Sequence, residues 1–87
     1  MQDLHAQTEK IRAVRQAYQD ELMSKANVVG LGVGYRQRSG ERTDELALVV
    51  MVNKKVPEAL LAPEDVIPTS LEGVPVDVQE VGEIRAF

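Results

Sequence analysis

The sequence predicts an α+β fold: one long N-terminal helix lying on a three-stranded antiparallel sheet. Three observations carry this. An uninterrupted amphipathic run fills the first quarter of the chain. Two strand-like runs follow, around a Ser-Gly turn signal. A third alternating run closes the chain after a proline-rich connection. At 87 residues the chain is one domain, and one so small buries only about 60–65% of its unfolded surface. Association or an attached domain is therefore an expected source of stability.

Residues 3–25 read as the helix. Leu4, Ile11, Val14, Tyr18 and Leu22 recur at helical spacing and form one apolar stripe, opposite Lys10, Arg12, Gln16, Gln19 and Asp20. Asp3 is the expected N-cap and Asn27 the helix stop. Five stripe side chains, at about 1.5–3 kcal/mol each when fully buried, do not hold an isolated helix against its ordering entropy. The stripe needs a cover.

The strands at about 27–36 and 45–53 supply it. The first, Asn-Val-Val-Gly-Leu-Gly-Val-Gly-Tyr, places Gly30, Gly32 and Gly34 on one face and Val29, Leu31, Val33 and Tyr35 on the other. With Ser39-Gly40 as the turn, Val33 faces Leu46, Leu31 faces Leu48 and Val29 faces Val50. On the other face Gly34 meets Glu45, Gly32 meets Ala47, Gly30 meets Val49 and Val28 meets Met51. Large falls against large and small against small; an even shift keeps these faces and a one-residue slip mixes them.

Residues 54–73 form a connection containing Pro57, Pro63 and Pro68, with one or two helical turns after Pro57. Leu60, Leu61, Val66 and Ile67 are its expected anchors. The third strand, 74–81, turns Val74, Val76 and Val78 inward and Asp77 and Gln79 outward. Pro75 argues for an edge position, and the long connection allows a crossover, so the expected sheet order is 2-1-3 with the glycine strand central. The glycine face, made by Val28, Gly30, Gly32, Gly34, Ala47, Val49 and Met51, is then left uncovered and too apolar for a plain solvent face. This is the candidate interface; the competing reading has the proline-rich connection folded over it.

Charge and residue usage exclude several classes. The net charge is −4. Residues 57–87 set Arg85 alone against seven acids, which opposes nucleic-acid binding. Arg36, Arg38 and Arg42 cluster at the turn, as a solvated loop or a spot for an acidic partner. There is no cysteine, no apolar run of membrane-spanning length and no signal-like leader, so the expected location is cytoplasmic. Gly30-Leu-Gly32-Val-Gly34 lacks the strand–turn–helix setting of a dinucleotide loop, and no Walker lysine follows it. His5 with Asp3 and Glu9 makes a poor metal set, and Glu64-Asp65 reads as a solvated or helix-starting pair. Ser24, Ser39 and Ser70 have no elbow or oxyanion context. The chain carries no catalytic constellation, and no cofactor is expected.

Four segments, Asn27–Tyr35, Asp44–Pro57, Pro63–Pro68 and Leu71–Gly82, carry a resemblance. In order and spacing they are similar to the non-catalytic N-terminal region ahead of the protease domain in bacterial trypsin-like serine peptidases and related uncharacterised proteins, over roughly residues 26–85. The resemblance implies an accessory domain, cut from a longer protein or encoded alone, with the catalytic histidine, aspartate and serine downstream; no catalytic residue is carried over. The expected function is a non-enzymatic module that self-associates as a homo-oligomer or docks on an attached or cognate protease domain. The alternatives are a free-standing propeptide-like regulator, contacting a protease through Glu80–Phe87 or Arg36–Arg42, or a fragment of a serine protease. No nucleic-acid or membrane partner is expected.

Overall fold

The computed structural model describes residues 4–82. The expected N-cap Asp3, and the Glu83–Phe87 part of the expected protease contact, lie outside the described residues. Helix α1 spans Leu4–Met23, strand β1 Val28–Arg38, strand β2 Glu41–Val52, strand β3 Ser70–Leu71 and strand β4 Val74–Glu80. Short 3-10 turns at Glu58–Leu60 and Pro63–Asp65 punctuate the connection between β2 and β4. Pro57 caps the first and Pro63 opens the second, where a missing N–H costs nothing.

Ile11, Val14 and Leu22 of α1 are buried in the core, and Tyr18 packs on it. Leu4, the first residue of the expected stripe, is 57% exposed and takes no part. The helix ends at Met23, short of the expected stop; Asn27 instead closes the turn that leads into β1, at φ 70°, a left-handed geometry that asparagine tolerates better than most residues.

The sheet corrects the expected topology. It is mixed and four-stranded, in the order β1-β2-β4-β3. β1 pairs antiparallel with β2, β2 pairs parallel with β4, and β3 pairs antiparallel with β4. The glycine strand is therefore at the edge, and β2 is central. The physical reason lies in β2 itself. Ala47, Leu48, Val49, Val50 and Val52 are all buried, so both faces of this strand are covered, as a near-continuous apolar run requires. A strand with three bare glycine positions cannot fill that place. The long connection suits a parallel partner, which needs a crossover of a dozen or more residues.

Pro75 fits without an edge. It pairs with Ser70 of β3, and the β2–β4 ladder begins only at Leu48↔Val76, so no hydrogen bond to β2 is lost. Val74 and Val76 are buried, and Val78 packs beside them.

The Ser39-Gly40 turn is as expected, with Arg38 opposite Glu41. Both turn residues have positive φ, 52° and 80°, as the tight turn of a two-residue hairpin requires. The register beyond it differs. Between Gln37↔Arg42 and Tyr35↔Leu46, the single residue Arg36 lies against Thr43, Asp44 and Glu45. This bulge shifts the pairing by two, to Val33↔Leu48 and Leu31↔Val50. An even shift preserves the faces, so Leu31, Val33, Leu46, Leu48 and Val50 still share the helix side. The Thr43 hydroxyl donates to the Arg36 carbonyl (2.7 Å), and Arg36 pairs with Glu45 (3.0 Å), fixing the bulge.

Ile67 and Leu71 of the crossover pack on the same core cluster as α1. Leu60, expected as an anchor, is 77% exposed. The crossover is also pinned by polar contacts: Lys25 Nζ donates to the Glu64 carbonyl (2.7 Å), and the Ala26 N–H donates to the Asp65 carboxylate (2.9 Å). Glu64-Asp65 is thus a fastening of the crossover to the α1–β1 corner.

Candidate interaction surface

On the side of the sheet away from α1, Gly30 lies opposite Met51, Gly32 opposite Val49, and Gly34 opposite Ala47. A Cβ at Gly30 would stand 3.0 Å from Met51 Cε, one at Gly32 3.7 Å from the same atom, and one at Gly34 3.1 Å from Val49 Cγ2. The β2 side chains therefore lean across into the space the glycines leave. Strand glycines do this: they let a neighbour approach the bare backbone.

Six of the seven predicted surface residues share this face. Val28 does not. A second bulge, with Val29 as the extra residue, pairs Val28 with Val52 and sets it against the core. Ala47 (0% exposed) and Val49 (7%) lie on the predicted face but are buried. What remains is a shallow groove lined by Gly32, Gly34, Val49, Met51 and Gln79 together with Val33, Tyr35, Gln37, Arg42 and Leu46, so it is not confined to the glycine face. At its turn end the Arg42 guanidinium sits 4.1 Å from the centre of the Tyr35 ring, within cation–π range. Two of the three clustered arginines are thus engaged, Arg42 on Tyr35 and Arg36 on Glu45.

Two residues that the periodicity placed only as outward-facing prove central here. From β4, Asp77 accepts a hydrogen bond from the Gln37 N–H (2.9 Å), and Gln79 Nε2 donates to the Tyr35 carbonyl (3.1 Å). Gln79 Nε2 also donates to the Asp77 carboxylate (2.9 Å). These side chains reach past β2 to the backbone of β1. The bulge makes the reach possible, because extra residues on β2 increase the local twist and bend. The hairpin curls toward β4 over Ala47 and Val49. Alternation along β4 identified the face of Asp77 and Gln79, but their role follows only from β4 lying beside β2.

A second concavity, of about 220 Å³, opens between the α1–β1 corner and the crossover. Its walls are Val52, Val56, Leu61, Val66, Ile67 and Val78, with Lys54 and Lys55 among the lining residues. Among the described residues no group of three or more His, Cys, Asp or Glu side chains is placed to hold a metal. No described helix is long and apolar enough to cross a membrane.

The sequence model of the NARROW LEAF 1 N-terminal domain matches residues 6–81. No curated protein matches the chain. The family match overturns the resemblance to the N-terminal region of bacterial trypsin-like peptidases. The residues that suggested it are parts of the scaffold: the edge strand, the buried central strand, the crossover turns and the β3–β4 hairpin. They report a fold, and the match names its family. With all the described elements inside the matched residues, apart from the first two positions of α1, the chain belongs to the NARROW LEAF 1 N-terminal domain family.

Proposed function

We propose that this domain is a non-enzymatic interaction module that associates with a second copy of itself along the free edge of β1. One observation supports the reading above others. β1 is the outer strand of the sheet, and from Val28 to Tyr35 it carries no charge and no proline. An edge strand offers unpaired backbone groups to any incoming strand, and proteins ordinarily blunt such edges with lysine, proline or covering segments. Two copies of β1 running antiparallel about a two-fold axis would continue the sheet across the interface. The glycine groove would receive side chains from the partner, in the manner of strand addition.

Light scattering over a rising concentration series tests this. The expected result is a mass of two chains at high concentration and a Tm that rises with concentration, since association stabilises the folded state by mass action. Gly32→Lys is the diagnostic variant. A Cβ there meets Met51 only at 3.7 Å, an ordinary contact, while the lysine guards the edge. It should give a single-chain mass with an unchanged circular dichroism spectrum. A wild-type chain that stays at single-chain mass into the millimolar range, with a flat Tm, overturns the reading. Val49→Asp is unsuitable, because Val49 is buried and the charge would unfold the domain.

A further inference from the structure

We infer that Asp77 and Gln79 are a stop on strand addition, confining a second copy of this chain to the Val28–Gly34 stretch of β1. The inference rests on the edge-pairing reading above. β1 is eleven residues long, and its charge-free stretch alone does not pin where an added strand must end. The contacts from β4 do. The Gln37 N–H already donates to Asp77 at 2.9 Å, and the Tyr35 carbonyl already accepts from Gln79 at 3.1 Å. The Gln79–Asp77 hydrogen bond ties the two side chains to each other. An incoming strand that continued past Gly34 would have to displace both, and the Arg36 bulge bends the strand at the same point.

Seven residues remain, about 23 Å of strand, which is an ordinary strand length. Two such stretches related by a two-fold axis near Leu31 would pair their outward-pointing backbone groups with each other. The stop therefore favours a closed pair over a sliding or growing sheet, because register is weakly specified in glycine-rich strands that nothing else pins.

The test is the double variant Asp77→Ala/Gln79→Ala in the full chain, read by amide exchange and by sedimentation velocity. Exchange at Gln37 reports the clasp independently of association. It should quicken by roughly fivefold or more when the acceptor is lost, while the Leu48 and Val50 amides keep their protection and so show that the sheet is intact. With the clasp gone, species larger than two chains should appear. If Gln37 is released and the mass stays at two chains, the stop is overturned and the edge-pairing reading stands. If the wild type is a single chain and only the variant associates, the confinement to Val28–Gly34 falls together with the edge-pairing reading. If neither associates, both fall. The single variant Gln79→Ala, which leaves the Asp77–Gln37 bond in place, should give an intermediate result.

Discussion

At the scale of single residues, the backbone makes demands that the side chains only partly meet. Ser39-Gly40 and Glu72-Gly73 are both two-residue turns with positive φ at each position, 52° and 80° at the first, 49° and 80° at the second. Glycine takes this region freely, whereas glutamate is disfavoured there. Asparagine is the residue best suited to the first position of such a turn. Glu72→Asn should therefore stabilise the domain by about 0.5–1 kcal/mol. On a domain of this size that is a Tm rise of about 2–8 °C, measurable by thermal denaturation; no rise, or a fall, would refute it. The Ser39-Gly40 turn was legible because a dipeptide signal lay between two apolar runs. The Glu72-Gly73 turn was not legible as a hairpin, because its first strand is only Ser70–Leu71. Two residues leave no periodicity to read.

The elements show where pattern ends and topology begins. Helix and strand positions follow from spacing, and the two faces of β1 follow from alternation. Strand order does not, because periodicity describes one strand at a time and is silent on its neighbours. The clue lay in Leu46–Val52, whose run of apolar residues on both faces marks a strand covered on both sides. The crossover gave the same kind of mixed return: Ile67 anchors it, and Leu60 of the same predicted set does not. These two environments give contrasting outcomes for one substitution. Leu48 is 0% exposed at the centre of the sheet, and Leu48→Ala should cost about 2–5 kcal/mol. Leu60→Ala, at 77% exposure, should stay within about 0.5 kcal/mol of wild type. Urea denaturation of the two variants decides it; a comparable loss from both would mean that Leu60 is covered in solution.

For the molecule as a whole, the candidate surface was half legible. The glycines and their β2 partners were readable as one face. The curl that buries Ala47 and Val49 was not, since it comes from a bulge with no dipeptide signature. The bond from Asp77 to Gln37 and the one from Gln79 to Tyr35 span 40 and 44 residues, beyond the range of any local pattern.

Those long spans also bear on how the chain assembles. The two hairpins, β1–β2 and β3–β4, each close over a two-residue turn, and hairpins of this kind form in about 1–10 μs. The parallel β2–β4 ladder must wait for the crossover loop to close. Folding should thus be limited by the meeting of two preformed halves. Inserting a flexible Gly-Ser stretch after Ala62, in the exposed link between the two 3-10 turns, should slow refolding by about two- to threefold per doubling of the loop. Unfolding in a stopped-flow denaturant jump should be left almost unchanged. An insertion that instead speeds unfolding and spares refolding would place the docking of β4 after the barrier.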